Sequence, residues 1–146
     1  MLFRSKMEFK VINIFNMENK IIDLFKNVLQ INNIGFIKEF YNNKDHILYQ
    51  IINKDKDIGL IGIIIFTDKI IIKHIAIEEN MQRQNKGREA ILKLQYKYSN
   101  FDLEAETDDE AISFYKNLGF DIYYLGELYP NTNRYKCILK SNKLHD

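Results

Sequence analysis

The sequence predicts an α/β fold, of the α+β kind, and three observations carry that prediction. Residues 70–77 form an apolar, β-branched run (Ile70, Ile71, Ile72, Ile75, Ile77), the composition of a strand buried on both faces. Beyond a polar loop at 78–86, Ala90, Ile91, Leu94 and Tyr98 recur at the spacing of one helical face. Residues 46–53 and 58–66 are apolar segments joined by a short polar turn, as the two strands of an antiparallel hairpin are.

Taken in order, residues 8–15 read as a strand, with Phe9, Val11, Ile12 and Ile14 set among polar neighbours. Residues 16–29 carry Ile21, Leu24, Phe25 and Val28 on one helical stripe, with Asn16 as its cap. A second, shorter helix holds Phe36, Ile37, Phe40 and Tyr41, capped by Asn32 or Asn33 and ended by the polar run 42–45. The hairpin follows, turning at 54–57, and Gly59 and Gly62 mark a bulge or a close backbone contact in its second strand. Residues 67–69 turn into the isoleucine run. After the 86–98 helix, residues 102–106 form a short strand with Leu103 and Ala105 on one side. Thr107 or Asp108 caps the next helix, whose inner face is Ala111, Phe114, Tyr115 and Leu118 and which Gly119 ends. Residues 121–126 and 134–140 are the last strands, joined by 127–133, which holds the single proline, Pro130.

Composition bounds the function. The 146 residues suit one domain with a real core, 1–146, and 46% hydrophobic with 28% charged residues excludes a disordered chain. Lysine and arginine number 21 against 20 acidic residues, a net charge of +1, which argues against a dedicated nucleic-acid binder. Cys137 is the single cysteine, so no disulfide forms within the chain and a reducing, cytoplasmic setting is expected. In its alternating strand it reads as a small core residue and not a nucleophile. No apolar run approaches the roughly eighteen residues of a membrane span, and residues 1–11 lack the features of a signal peptide. Met7 is an alternative start that leaves 1–6 as a frayed extension, and 141–146 read as a loose tail.

A buried strand feeding a helix through a polar loop makes a place for an anion. The first helical turn has backbone N–H groups without intrahelical partners, at the positive end of the helix dipole. Gln82, Asn85 and Gly87 fall there in the order Q-x-x-N-x-G. Gly87 has no Cβ and tolerates positive φ, so a phosphate can approach the backbone, and Asn85 also tolerates the left-handed region. Arg83, Lys86 and Arg88 add cations around the turn.

This loop resembles the acyl-CoA pyrophosphate loop of the GNAT N-acetyltransferase superfamily, Q/R-x-x-G-x-G/A. Gln82 takes the first position, Asn85 replaces the first glycine, and Gly87 matches the second. Downstream, EAETDDEAISFYKNLGF resembles a second segment of that family: Phe114, Tyr115, Gly119 and Phe120 match its FY-x-x-x-GF, and Ala111 its small helix residue. The resemblance spans residues 58–139. It implies a mixed, mostly antiparallel sheet with helices on both faces and a coenzyme cleft between two splayed middle strands. It implies acetyl-CoA as donor, with Ile75, Ala76 and Ile77 beside the pantetheine arm and Gln82, Arg83, Gln84, Asn85, Lys86, Gly87 and Arg88 around the pyrophosphate. The two N-terminal helices would wall the acceptor cleft. Asp108 stands where the family often has an asparagine touching the coenzyme, and a carboxylate cannot donate there.

Acetyl transfer from a thioester to an amine needs a neutral amine, a donor for the oxyanion and a proton for the leaving thiolate. The resemblance implies Tyr115 as general acid, against the alternative that it packs on the helix face as Phe114 does. His74 titrates in the useful range and is a candidate base, against the alternative of a hydrogen-bonded core histidine. Glu78, Glu104 and Glu106 are the other candidates, while Ile71 and Leu103, where relatives often carry a carboxylate, are apolar. His46, His74 and His145 do not stand at ligand spacing with Cys, Asp or Glu, so no metal is expected.

With the resemblance, these features lead us to expect a cytoplasmic acetyl-CoA-dependent N-acetyltransferase whose acceptor is a small-molecule amine or a peptide N-terminus, without nucleic-acid or membrane partners. The alternative is a non-catalytic acyl-CoA-binding or regulatory module, to which Asn85 and Asp108 point. A third reading is a homodimer built through the tyrosine-rich end: Tyr123, Tyr124, Tyr129 and Tyr135.

Overall fold

The isoleucine-rich segments build one central sheet covered on both faces, and residues 58–63 are buried without a break. The computed structural model describes residues 6–141. Its strands are β1 (Met7–Val11), β2 (His46–Asn53), β3 (Lys56–Ile65), β4 (Lys69–Ile77), β5 (Asp102–Asp108), β6 (Asp121–Tyr129) and β7 (Thr132–Leu139). They form a seven-stranded sheet in the order β1-β2-β3-β4-β5-β7-β6. Neighbours are antiparallel except β4 and β5, which run parallel. Apart from Lys6 and Ser141, the extension expected at 1–6 and the tail expected at 141–146 lie outside the described residues.

Helices cover both faces, and the period of two along each strand separates two cores. On one face Ile61, Ile63, Ile70, Ile72, Leu103 and Cys137 pack with Ala90, Ile91 and Leu94 of α3 (Lys86–Lys97) and Tyr115 of α4 (Ile112–Asn117). On the other, Leu48, Leu60 and Ala76 pack with α1 (Asn19–Asp23), the π-helical turn Leu24–Val28 and α2 (Ile34–Phe40) through Ile21, Leu24, Phe25 and Ile37. Each fully buried aliphatic side chain contributes about 1.5–3 kcal/mol. β4 is therefore held from both sides, by Ile70 and Ile72 on one face and Ala76 on the other.

Several boundaries differ from expectation, for local reasons. β1 ends at Val11 because the Asn13 side chain accepts the Phe15 N–H at 3.0 Å and starts a 3-10 turn at Ile14–Asn16. The helix expected from 16 begins at Asn19, so Asn16 does not cap it. Asn33 caps α2, accepting the Phe36 N–H at 2.9 Å. The β2–β3 turn narrows to Lys54 and Asp55, at φ 53° and 67°, the signature of a two-residue type I′ hairpin. β6 and β7 extend through most of the expected loop to a turn at Pro130 and Asn131, the latter at φ 59°.

Gly59 and Gly62 mark close contacts. A Cβ would lie 2.2 Å from the Ala76 carbonyl oxygen at Gly59, and 1.7 Å from the Tyr41 hydroxyl at Gly62. Beside Gly62 the β3–β4 register slips, leaving Lys73 as the extra residue of a bulge between Ile72 and His74. β4 pairs with β5 only from Lys69 opposite Asp102 to Ile72 opposite Ala105. Beyond that point β4 continues along β3 while β5 continues along β7. The sheet opens between them.

Candidate active site

A cleft of about 540 Å³ occupies this opening. Ile75, Ala76 and Ile77 of β4 form one side of it, and Gln82, Asn85, Gly87 and Arg88 form its mouth. α4 supplies Ala111, Phe114, Asn117 and Leu118, and Val28 reaches in from the π turn.

The mouth is the N-terminus of α3. Asn85 takes φ 60° and turns the chain from the 3-10 segment Glu79–Gln84, which includes Arg83, into the helix. The Glu89 N–H donates to the Asn85 carbonyl at 3.0 Å. The N–H groups of Lys86, Gly87 and Arg88 have no intrahelical partner, and Asn85 offers no side-chain cap. The expected roles of Asn85 and Gly87 are thereby redistributed: the left-handed residue is Asn85, and Gly87 is not at positive φ. A Cβ at Gly87 would lie 3.2 Å from the Phe114 ring, so its absence lets α4 close against α3.

The remaining loop side chains divide by contact. The Gln82 side chain donates to the Ile77 carbonyl at 2.9 Å, tying the loop to the end of β4. Gln84 reaches the Asn80 carbonyl and stays exposed outside the cleft. Lys86 pairs with Glu89 at 3.0 Å, whereas Arg88 lines the cleft with no ion pair among the described residues. Asp108 does not line the cleft. Its Oδ1 accepts the N–H groups of Glu110 and Ala111 at 3.0 and 3.1 Å, shaping the turn into α4.

Tyr115 is 6% exposed and belongs to the main core, with its ring edge-on to Phe114 and Phe120. Its hydroxyl has no hydrogen-bond partner among the described residues, yet no fully buried side-chain N or O there lacks one. The phenol oxygen therefore reaches accessible space. Burial pushes its pKa up, with Cys137 adding to the effect. It is Phe114, not Tyr115, whose ring borders the cleft.

His74 lies just after the bulge, on the opposite face. Its Nδ1 is 2.6 Å from the Tyr41 hydroxyl, and its ring stands edge-on to Phe25. Burial, with the Lys73 charge adding to it, lowers its pKa to about 4, so it is neutral at pH 7. Burial also raises the pKa of Tyr41, which keeps its proton and can donate it to Nδ1. Of the carboxylates, Glu78 pairs with Lys20, Glu104 with Lys69 and Glu106 with Arg134. No group of three or more His, Cys, Asp or Glu suited to a metal occurs among the described residues, beyond which His145 lies. No described helix is long and apolar enough to cross a membrane.

Val28 and Asn117 are cleft residues that sequence reasoning did not assign. Val28 carried only a helical-stripe signal, and Asn117 sits between motif positions with no signal of its own.

A seven-stranded sheet opened between parallel β4 and β5, with a helix N-terminus at the mouth, is the fold of the GNAT acetyltransferases. The chain superposes on an aminoglycoside 6'-N-acetyltransferase in complex with coenzyme A with a TM-score of 0.77 at 13% identity, over 95% of this chain and 99% of that one. It superposes on Ard1 from Thermoplasma volcanium with a TM-score of 0.70 at 19% identity, over 95% and 100% of the two chains. A variant of the spermidine N-acetyltransferase SpeG from Vibrio cholerae gives 0.72 at 16% identity, over 93% and 94%. No protein-family model and no curated protein sequence matches the chain.

Proposed function

We propose that the chain transfers an acetyl group from acetyl-CoA directly to an amine. One observation carries this reading: unpartnered backbone donors at the first turn of α3 meet the separated length of β4 at a single cleft. The donors suit a diphosphate, because a helix N-terminus favours negative charge and Arg88 adds a cation. In this reading the Asn85–Arg88 backbone and the cations of Lys86 and Arg88 bind the diphosphate, while Gln82 and Gln84 brace the loop. The edge of β4 at Ile75, Ala76 and Ile77, free of β5, offers backbone groups to an extended arm. When bound, acetyl-CoA supplies the activated thioester.

Tyr115 is the proposed general acid. The phenol is protonated at neutral pH and can donate to a leaving thiolate, although burial, by pushing its pKa up, weakens it as an acid. His74 is the weaker candidate for a base, since Tyr41 occupies Nδ1 and a pKa of about 4 makes it a poor proton acceptor. A carboxylate acting through water is the alternative. The acceptor is a small-molecule amine or a peptide N-terminus. That two similar folds are named as aminoglycoside and spermidine acetyltransferases supports beginning with polycationic amines. The unpaired Cys137 accords with a cytoplasmic setting. Release of free thiol from acetyl-CoA, followed across polyamines, aminoglycosides and short peptides, tests the proposal. Dependence on one acceptor supports it; coenzyme binding without release from any of them overturns catalysis.

That last outcome is the second reading, an acyl-CoA-binding module, favoured by the engagement of His74, Glu78, Glu104 and Glu106. A homodimer through β6 is favoured by the exposed Tyr123, Tyr124, Leu128 and Tyr129. Light scattering of the parent and of Tyr124→Asp tests it, a smaller species in the variant being the expected result.

A further inference from the structure

The outer edge of β1 lies three strands away from β4 and the cleft. β1 ends the sheet, so no described strand pairs with its outer side. The Ile12 N–H donates to the Leu48 carbonyl and the Lys54 N–H to the Lys6 carbonyl. With the antiparallel register, this turns the backbone groups of Phe9 and Val11 outward. A groove of about 550 Å³ follows the edge. Side chains alternate across the strand, so Glu8 and Lys10 border the groove on one face of the sheet and Phe9 on the other, where α3 adds Lys93, Tyr96 and Lys97.

The charges there are unbalanced. Lys93 Nζ stands 5.6 Å from the centre of the Phe9 ring, and Lys97 Nζ 5.9 Å from that of Tyr49. Lys10, Lys93 and Lys97 border the groove with no carboxylate partner among the described residues. Glu8 is the one acid bordering the groove. Tyr96 is 86% exposed and Val11 63% exposed, so apolar surface accompanies the cations.

We infer that an extended acidic segment of a partner protein adds a strand to β1, its carboxylates meeting Lys10 on one face and Lys93 and Lys97 on the other. Apolar side chains of the same segment pack on Phe9 and Tyr96. Backbone pairing supplies affinity and the alternating side chains supply selection, as in other strand-addition complexes. A peptide fits better than a nucleic acid, because three lysines neutralise few phosphates and a strand edge offers pairing that only another backbone uses. Edge lysines also protect sheets from pairing with one another, and the test must separate the two roles.

The probe is a fluorescein-labelled peptide, Leu-Glu-Glu-Phe-Glu-Glu-Leu, which as a strand presents carboxylates on both faces and its Phe between two of them, titrated with the full chain and followed by anisotropy at low and high salt. Saturable binding that weakens with salt is expected, with the amides of Phe9 and Val11 shifting in NMR spectra. Lys93→Glu combined with Lys97→Glu should weaken binding at least about tenfold, with Lys97→Gln intermediate. Melting curves establish that both variants are folded, and their response to coenzyme A should match the parent. The proposal is overturned if the acidic peptide does not bind, if a lysine-for-glutamate version binds equally, or if a single-stranded oligonucleotide binds more tightly. Aggregation of the double variant without any peptide binding by the parent would assign the lysines to edge protection alone.

Discussion

The Tyr41 hydroxyl lies 2.6 Å from His74 Nδ1, and Gly62, opposite His74 on β3, has no space for a side chain. This contact ties the end of α2 to β4 one residue after the bulge that precedes the opening of the sheet. It has a consequence for stability against pH. Burial holds His74 at about 4 in the folded chain, below its ordinary 6.5. The unfolded chain therefore takes up the proton first, so stability falls as pH drops from about 6.5 towards about 4 and does not depend on this group above that window. Urea denaturation of the parent and of His74→Gln at neutral pH and near pH 5 should show the smaller loss in the variant. Equal losses would remove His74 as a source of acid sensitivity.

Gly62→Ala should be among the costliest single changes in the sheet. The new Cβ would meet the Tyr41 hydroxyl at 1.7 Å and its ring carbon Cζ at 2.5 Å, so the tyrosine must leave its place over His74. Overpacking of this kind costs about 1–3 kcal/mol, and the lost hydrogen bond adds about 1 kcal/mol. Tyr41→Phe should not rescue the variant, because the ring itself still collides, whereas Tyr41→Leu should recover part of the loss. Denaturation midpoints of the three chains decide this.

Tyr115→Phe separates proton donation from packing, since the ring contacts with Phe114 and Phe120 survive the loss of the hydroxyl. General acid catalysis is worth about 10²–10⁴ in rate, so kcat should fall at least roughly tenfold with coenzyme affinity nearly unchanged. Weak binding with normal turnover would reassign Tyr115 to positioning the arm. Unchanged kinetics would leave it as a core residue.

Much of this organisation was legible in the sequence. The isoleucine run, the polar loop and the helical stripe located β4, the mouth and α3, because burial on a regular element leaves a period. Gly59 and Gly62 signalled close contacts, although not what approached them. Periodicity reports faces but not distant neighbours, so it could not reveal that β7 lies between β5 and β6, or that Val28 reaches the cleft. Asp108 read as a defective coenzyme ligand because its turn-forming bonds to Glu110 and Ala111 exist only once the chain bends there. Gly87 read as a residue free to take positive φ and to admit a phosphate, while the neighbour its missing Cβ makes room for, Phe114, lies far along the chain.

The central claim is that the opening between β4 and β5 holds coenzyme A with its diphosphate on the first turn of α3. The most direct measurement is the melting temperature with and without coenzyme A, for the parent chain and for Gly87→Glu. At a hundredfold excess over Kd, the ligand should stabilise the parent by about 2.7 kcal/mol, or roughly 5–10 °C for a chain of this size. Gly87→Glu puts a carboxylate where the diphosphate would sit and presses on Phe114, so it should melt lower without ligand and show no shift with it. A parent that does not respond, or a folded variant that responds as the parent does, would contradict the account.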